Sequence, residues 1–354
     1  MKRILILVSL LLTLALALAA CGSGENPDSF GGSPGSPNSS GSDANPGNSG
    51  APDNAPSNSG NSGNSGNSGN SGNLVEDPSV PMGQAPVSAP PFDTSKNIAI
   101  LAREDGSGTK TAFMEIIGLK GKADPENVII QTGTAGILTE VKGNPNAIAY
   151  ESLGYVTGDV KALKVNGVEA TAANIKSGTY KISRPLSIVY KEATLASEVN
   201  KAFFDFLQSS DAQAIITEEG YVPVVDNAKA YTINGSLKGE IDISGSTSLQ
   251  PLMTELADAF EKLQPNISVT VGGGGSGTGY KNADEGVSEF GMISEEFNLE
   301  KAPSCTDYVV CKDGIAVIVH KDNPLGDITM DQLKNIYDVE AESDAITIWS
   351  DLIN

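Results

Sequence analysis

The sequence predicts an α/β fold that follows a long polar segment. Short apolar runs of strand length alternate with amphipathic helical stretches in the last ~260 residues, and glycine- or serine-rich turns separate them. Alternation of this kind is typical of strands and helices packed in α/β layers. The stretch from Gly22 to about Pro91, by contrast, has almost no apolar residues and cannot contribute to a packed core. We therefore expect one globular part, long enough for a two-lobed protein.

The first 20 residues have the features of a secretory signal peptide. Lys2 and Arg3 precede an apolar run from Ile4 to Leu18, and small residues lead to Cys21. The apolar run is too short for a membrane span. The "LAAC" that ends at Cys21 resembles a bacterial lipobox, whose cysteine is diacylated and becomes the mature N-terminus. We expect a lipoprotein on the outer face of the bacterial cell membrane; the alternative is a soluble secreted protein with a chance cysteine.

Residues 21–96 are predicted to be the lipidated cysteine and a disordered tether. Glycine, serine, asparagine and proline dominate, and five consecutive Asn-Ser-Gly triplets run from Asn58 to Gly72. No apolar face offsets the entropy of ordering such a chain. About 70 flexible residues have a root-mean-square reach of roughly 45 Å.

The charge of the chain limits its partners. The formal net charge is −21, which argues against nucleic acid or anionic lipid as a ligand. An anionic ligand would have to be held by local dipoles against this overall field. We expect a monomer.

The cysteines allow two interpretations. With Cys21 assigned to the lipid, Cys305 and Cys311 remain in "CTDYVVC". Outside the membrane this pair can form a small-loop disulfide, whereas Cys311 can instead be a buried strand residue. Two thiols and one distant histidine do not make a zinc site, so we predict no metal.

Apolar periodicity places the elements along the chain. The predicted strands are Ile98–Ala102, Val128–Gln131, Ala147–Tyr150, Ala162–Val165, Ser187–Tyr190, Ile241–Ser244, Ile267–Val271, Phe290–Ile293, Gly314–Val319 and Ile346–Trp349. The predicted helices are Lys110–Leu119, Gly136–Val141, Ala172–Ser177, Ala196–Gln208, Asp211–Glu219, Leu249–Leu263, one opened by "GGGGSGTG", and Met330–Tyr337.

Three segments share one design, in which a strand leads through a Gly/Ser/Thr turn into a helix. They are Arg103–Thr109, Gly245–Ser248 and Gly273–Gly279. Free N–H groups and the positive end of the helix dipole make such a turn suitable for an anion. One such turn is most often only a helix cap. Three in one chain, one with an arginine, favour an anion-binding site.

Enzyme signatures are missing from the sequence. "DGSGTKT" lacks the order of a P-loop, and "GGGGSGTG" matches GxGxxG only because it is nearly all glycine. No Gly-x-Ser-x-Gly elbow occurs, and His320 is the single histidine. We predict a binding protein that is not an enzyme and needs no cofactor.

A family resemblance rests on many segments. "REDGSGTKTAF", "QTGTAGILTEVKGNPNAIAYESLGY", "KSGTYKISRPLSIVY" and "ITEEGYVPV" resemble the second half of a periplasmic-type phosphate-binding protein. "ISGSTSLQPLMTELADAFEKLQPNISVTVGGGGSGTGYK", "EFGMIS", "KDGIAVIVHKDNP" and "ITIWSDL" resemble its first half. The resemblance covers residues 97–354. It implies a type II clamp of two lobes that closes on one phosphate and serves the permease and ATPase of an importer.

The order of these segments is exchanged relative to the family, in which the "GSTS" half comes first. We therefore expect a circularly permuted clamp in which Asp226–Lys238 joins the former termini. Lobe 2 is predicted at residues 97–182 and lobe 1 at residues 183–354. The alternative is a truncated tandem that keeps two half-copies.

The resemblance also implies the ligand residues. They are Arg103, Ser107, Gly108, Thr109, Thr247, Ser248, Ser276 and Ser294, with Asp105 expected to orient Arg103. Some family members select phosphate over sulfate with a carboxylate that accepts the proton of the phosphate. The matching position here is Ser294, with Glu295 beside it, so the sequence leaves open which residue takes that role.

Two functions fit these observations. The first is a lipid-anchored receptor that binds inorganic phosphate and delivers it to an ABC-type importer. The second is a surface lipoprotein that uses the same fold for sensing, for adhesion or for another oxyanion.

Overall fold

The structure is a computed structural model that describes residues 91–353. In this range the strands are β1 Ala99–Arg103, β2 Ile129–Gln131, β3 Ala147–Ser152, β4 Val160–Ala162, β5 Lys164–Val165, β6 Ser183–Tyr190, β7 Val222–Pro223, β8 Gly239–Gly245, β9 Ile267–Gly274, β10 Phe290–Ile293, β11 Thr306–His320 and β12 Asp327–Ile328. The helices are α1 Gly108–Ile116, α2 Gly133–Gly143, α3 Ala172–Lys176, α4 Glu198–Leu207, α5 Ser210–Glu218, α6 Gln250–Leu263, α7 Ser276–Glu285 and α8 Met330–Tyr337. The predicted α/β class is confirmed.

The first lobe is built on β1. This strand lies between β2 and β3 and is parallel to both, and the second half of β11 runs antiparallel to β3. Ile100 and Ala102 pack on one face of β1, in the core that α1 and α8 complete. Leu101 packs on the opposite face, against α2. Because both faces are covered, the strand is apolar throughout rather than alternating.

The second lobe is built on β8. This strand lies between β9 and β10, parallel to both, and β6 runs antiparallel to β10. Helices α4, α5 and α6 cover one face with a cluster of phenylalanines, in which the ring centroids of Phe203 and Phe260 are 5.1 Å apart. Helix α7 covers the other face through Tyr280.

The two cores correct the predicted lobe boundary. Residues 97–182 pack on both faces of the first lobe's sheet, and Ile315, Leu333 and Trp349 are buried with them on one of these faces. The last forty residues therefore belong to the first lobe, because β11 carries the chain back beside β3. The second lobe is formed by residues 183–313 rather than 183–354.

The lobes are connected where β6 and β11 pass between the two cores. Arg184 and Asp313 face each other in the register of these antiparallel strands, with Nη2 and Oδ2 3.1 Å apart. Both side chains are 1% exposed. Arg184 Nη1 also donates to the carbonyl of Ser294 at 2.9 Å. Burial raises the pKa of Asp313 above its ordinary value, although the charge of Arg184 opposes the shift.

The two ends of the described chain lie side by side. Ile98 N donates to the Thr347 carbonyl at 2.8 Å, and Ser350 N donates to the Thr94 carbonyl at 2.8 Å. The ring of Phe92 packs edge-on against Trp349 with centroids 5.6 Å apart. A short loop could therefore connect the two ends.

Several predicted elements differ from the structure. The predicted strand Ala162–Val165 is two strands, since β4 pairs with β11 while β5 pairs with β12. The predicted strand Ile346–Trp349 is reduced to one bridge between Asn97 and Ile348, followed by a 3-10 turn. The predicted Gly314–Val319 is only the second half of the fifteen-residue β11.

The disulfide alternative for Cys305 and Cys311 is wrong in this structure. Both thiols are free and buried. Cys305 precedes β11 and Cys311 lies within it, so extended chain holds their Cα atoms roughly 20 Å apart. A disulfide needs Cα atoms closer than about 7 Å. The alternative interpretation of Cys311 as a buried strand residue is the correct one.

Candidate anion-binding site

Three glycine- and serine-rich turns meet between the lobes. The first follows β1 and begins α1, the second follows β8, and the third follows β9 and begins α7. Gly277 N donates to the Gly106 carbonyl at 3.0 Å, which joins the first turn to the third across the lobes. Gly275 N donates to the Gly245 carbonyl at 2.9 Å, which joins the third turn to the second. The three segments that the sequence grouped by their pattern thus form one site.

Arg103 is the buried cation of this site. Its side chain is 1% exposed and all five of its N–H groups are hydrogen-bonded. Nε and Nη2 donate to the two oxygens of Glu104 at 2.9 and 3.0 Å. Nη1 donates to Thr134 Oγ1 at 3.3 Å and to Glu151 Oε2 at 3.1 Å, and Nη2 also donates to Thr247 Oγ1 at 2.9 Å. A ligand that contacts Arg103 has to replace one of these partners.

Glu104, not Asp105, orients the arginine. The predicted partner Asp105 has a side chain that is 98% exposed and pairs with Lys110 at 2.8 Å. Glu104 instead forms the two-pronged pair with Arg103, and its Oε2 accepts from Gly133 N at the start of α2. Burial alone would raise the pKa of Glu104, but the hydrogen bonds and charge of Arg103 outweigh burial and lower it.

Glu151 is a site residue that the sequence analysis missed. It lies near the end of β3, and its carboxylate is fully buried. Besides Arg103, it accepts hydrogen bonds from Ser152 N at 2.9 Å and from Ser248 Oγ at 3.4 Å. Glu151 lies in the segment that ends in "NAIAYESLGY", but one glutamate after an apolar strand does not by itself indicate a site residue. Its contact with Arg103 follows only from the packing of the strands.

Hydroxyl groups from both lobes line the contact between the turns. Thr109 Oγ1 and Ser248 Oγ are 2.8 Å apart, and Ser276 Oγ and Ser294 Oγ are 3.3 Å apart. All four residues are buried. The hydroxyl of Ser107 accepts from Lys110 N at 3.3 Å and thereby caps α1. The residues predicted from the sequence to hold the ligand are thus brought together, with Ser107 also serving as an N-cap.

Gly108 lies where the lobes are closest. A Cβ atom at this position would be 2.3 Å from Ser276 Oγ and 2.8 Å from Ser294 Oγ. Real Cβ atoms do not make contacts this short, so a side chain at this position would displace the hydroxyl groups of Ser276 and Ser294. Glycine is required at this position by close approach, not by backbone conformation.

The structure separates Ser294 from Glu295. Ser294 faces Ser276, and its backbone N donates to Ser276 Oγ at 3.0 Å. Glu295 is 3% exposed and its Oε1 pairs with Lys301 Nζ at 2.7 Å, outside the hydroxyl contacts. In this structure the carboxylate of Glu295 is bonded to Lys301 and not to the hydroxyl groups of the site.

Other kinds of site find no support among residues 91–353. In this range no group of three or more His, Cys, Asp or Glu side chains is placed to hold a metal ion. His320 lies near the exposed Asp322, with Nδ1 and Oδ2 3.9 Å apart. No helix in the described part of the chain has the length and apolar character needed to cross a bilayer.

The fold is that of a two-lobed binding protein, and the candidate site between its lobes has residues from both. A family model described as a PBP superfamily domain matches residues 91–211 and 230–354. The chain belongs to this superfamily and, within it, to the family of phosphate-binding proteins represented by the relatives below.

Two relatives differ in how much of the chain they match. Phosphate-binding protein PstS 2 of Streptococcus agalactiae is 39% identical over 264 residues, which is 72% of this chain and 87% of that protein. Phosphate-binding protein PstS of Bacillus subtilis is 34% identical over 143 residues, which is 40% of this chain and 46% of that protein. Both are binding proteins rather than enzymes, in agreement with the sequence prediction.

A solved structure has the same fold. It is the crystal structure of a phosphate-binding protein of a phosphate ABC transporter from Streptococcus pneumoniae, with a TM-score of 0.59 and 33% identity. The match covers 73% of this chain and 100% of that chain. The predicted family and the predicted binding-protein fold are therefore confirmed.

Proposed function

We propose that the chain binds inorganic phosphate between its lobes and delivers it to an ABC-type phosphate importer. The observation that carries this proposal is the buried Arg103, which donates to one hydroxyl group of each lobe, Thr134 and Thr247, as well as to two carboxylates. Such an arrangement can give hydrogen bonds to the oxygens of a small tetrahedral anion in a place that excludes water. The names of the relatives point to the same ligand.

Phosphate enters this site by exchange. Glu104 and Glu151 are charged partners of Arg103, whereas Thr134 and Thr247 are neutral. The two carboxylates attract the guanidinium by their opposite charge as well as by hydrogen bonds, whereas the two hydroxyls do not, so the hydroxyls are the partners that a phosphate replaces. Thr247 belongs to the other lobe, and its release leaves Arg103 Nη2 free for the ligand.

Titration calorimetry with phosphate, arsenate and sulfate tests the proposed ligand. We expect one phosphate per chain, with binding abolished in Arg103→Ala. Glu115→Ala, which removes an exposed surface carboxylate paired with Lys120, is the control and should bind as the wild type does. A chain that binds none of these anions would contradict the proposal and would favour the sensing or adhesion alternative.

We also propose that the order of the two halves is permuted relative to other family members. The hydrogen-bonded ends at residues 94–98 and 347–350 support this, because reconnecting them needs only a short loop. The relative from Bacillus subtilis aligns over 46% of its length. This is expected if its two halves have the opposite order, because one alignment can then include only one of them.

A reordered chain tests the permutation. Residues 239–353 would come first, followed by a short polar loop and residues 93–225. If Asp226–Lys238 joins former termini, this chain should fold and bind phosphate with unchanged affinity. Failure to fold, while the original order folds, would contradict the permutation. A reordered chain that folds as a monomer and binds phosphate would contradict the truncated-tandem alternative.

Membrane attachment through Cys21 belongs to the same proposal. Cys21 lies outside the described residues, and the sequence "LAAC" supports its lipidation. Labelling with radioactive palmitate should be lost in Cys21→Ser, and the protein should then be released from cells. Labelling that persists in this variant would contradict the anchor. Association with a permease and an ATPase follows from delivery of phosphate and is tested by phosphate uptake in membrane vesicles.

A further inference from the structure

The backbone of Ser294 is held by two side chains. β10 ends at Ile293, which pairs with Ser187 of β6, so the pairing of these strands ends one residue before Ser294. The Ser294 carbonyl accepts from Arg184 Nη1 at 2.9 Å, and the Ser294 N–H donates to Ser276 Oγ at 3.0 Å. The direction in which the Ser294 hydroxyl points therefore depends on both of these hydrogen bonds.

Arg184 makes this contact from the place where the chain passes between the lobes. Ile182, two residues before it, is buried in the core of the first lobe, and Leu186, two residues after it, is buried in the core of the second. Asp313, which lies opposite Arg184 in β11, accepts from Nε at 3.3 Å and from Nη2 at 3.1 Å. Both side chains are buried, so this ion pair holds the guanidinium in one orientation.

The donors of the Arg184 guanidinium are divided between two partners. Nε and Nη2 bind the Asp313 carboxylate, whereas Nη1 binds the Ser294 carbonyl. The guanidinium is planar and its donors have fixed directions, so the ion pair with Asp313 also directs Nη1 toward Ser294. In the described part of the chain, Arg184 has no hydrogen bond to the hydroxyl group of Ser276 or of Ser294, which lie 3.3 Å apart. Its influence on a ligand there is exerted through the Ser294 backbone.

We propose that Arg184 is a positioning residue for the anion site, which directs the Ser294 hydroxyl from the connection between the lobes. The inference rests on the proposed phosphate-binding function and adds to it a residue outside the three turns. Without Arg184, the carbonyl of the buried Ser294 would lose its donor, and the segment after β10 would rearrange to satisfy it. The Ser294 hydroxyl would then point in another direction, and phosphate affinity would fall.

Two variants separate this role from the contribution of the ion pair to stability. Arg184→Met leaves Asp313 buried without its partner and should lose both stability and phosphate affinity. Arg184→Met/Asp313→Leu leaves no charge uncompensated and should regain most of the stability, but it still lacks the donor to Ser294. Titration calorimetry of the full chain with inorganic phosphate should show an affinity about 10-fold below that of the wild type for this double variant, which corresponds to about one lost hydrogen bond. The stoichiometry should be unchanged.

Ser187→Ala is the matched control. It removes a buried hydroxyl from the same strand, opposite Ile293, but no donor to Ser294, so it should bind phosphate as the wild type does. Ser294→Ala gives a second comparison. In a chain that carries this change, Arg184→Met/Asp313→Leu should lower the affinity little further, because the hydroxyl that Arg184 directs is already absent.

The results that would overturn the inference differ from the result that would overturn the proposed function. A double variant that regains wild-type affinity together with its stability would show that Arg184 acts through stability alone. An effect fully additive with Ser294→Ala, or an equal loss of affinity in Ser187→Ala, would also overturn the inference. A crystal structure of the wild type with phosphate is independent of how the variants fold: Ser294 Oγ should contact the phosphate while Nη1 keeps its bond to the Ser294 carbonyl, and a phosphate bound without Ser294 would contradict the role. A wild type that binds no phosphate would overturn the proposed function itself.

Discussion

Arg103 of the first lobe donates a hydrogen bond of 2.9 Å from Nη2 to Thr247 Oγ1 of the second lobe. This bond crosses the boundary that any ligand has to enter. Tyr155 Oη strengthens the same contact by donating to the carbonyl of Thr247 at 2.6 Å. The lobes are thus closed on each other through the protein's own groups, and a phosphate has to exchange with them.

Close packing at Gly108 predicts how a small side chain affects closure. Gly108→Ala places a methyl group 2.3 Å from Ser276 Oγ and 2.8 Å from Ser294 Oγ, so the two hydroxyl groups at this contact between the lobes have to move. Overpacking of this kind costs on the order of 1–3 kcal/mol, and phosphate affinity should fall by a corresponding factor. Gly143→Ala at the end of α2 is the control, because a Cβ there meets no atom within 4 Å. Equal phosphate affinities for the two variants in calorimetry would contradict closure at Gly108.

The buried ion pair between the lobes predicts a non-additive stability effect. Arg184→Met leaves Asp313 buried without its partner, which should lower the free energy of unfolding by about 3–5 kcal/mol. In Arg184→Met/Asp313→Leu no charge is left uncompensated, so most of that loss should be recovered. Urea unfolding of the two variants measures both values. A double variant as unstable as the single one would show that the pair contributes through something other than its charges.

The pair of Glu104 and Arg103 predicts a dependence of stability on pH. The pKa of Glu104 is lowered in the folded protein, so its contribution is fully present above its ordinary value of 4.5 and is lost as the pH falls through the folded value. The free energy of unfolding of the wild type should exceed that of Glu104→Gln at pH 7. The difference should shrink as the pH falls below 4.5. Urea unfolding of both proteins between about pH 3 and pH 7, the range in which carboxylates titrate, measures this difference. A difference that stays constant over this range would contradict the pairing of Glu104 with Arg103.

The two free cysteines predict a pattern of chemical labelling. Burial raises the pKa of the Cys311 thiol well above its ordinary value, and burial also raises that of Cys305. A raised pKa keeps a thiol protonated, and only the thiolate reacts with iodoacetamide. The fully buried Cys311 should therefore resist iodoacetamide in the folded chain. Both should react after unfolding in urea without reductant, as peptide mass spectrometry would show. Labelling that requires prior reduction would mean that a disulfide exists.

The residues of the candidate site that lie in the three glycine- and hydroxyl-rich turns could be predicted from the sequence. Arg103, Thr109, Thr247, Ser248, Ser276 and Ser294 all belong to glycine- and hydroxyl-rich turns, and the structure brings these turns together. Glu151 belongs to a strand, where nothing in its neighbours marks a functional residue. Its role depends on Arg103 and Ser248, which are distant in sequence and meet it only through the packing of the lobes.

The parts of the fold that the sequence did not predict depend on long-range pairing. The predicted strand Gly314–Val319 covers less than half of β11, because the first part of β11 is held by its pairing with β6, in which Asp313 lies opposite Arg184. The same strand returns the chain to the first lobe, which the predicted boundary did not anticipate. Local patterns identified most elements, whereas the assignment of residues 314–353 required knowledge of which strand they pair with.

The central claim is that one phosphate binds between the lobes at Arg103. A crystal structure of the chain grown with inorganic phosphate tests it most directly. We predict tetrahedral density within hydrogen-bonding distance of Arg103 and of hydroxyls from both lobes, with the bond between Arg103 and Thr247 exchanged for bonds to the ligand. Density at another place on the surface, or an Arg103 that keeps all its present partners while phosphate is bound, would contradict the account.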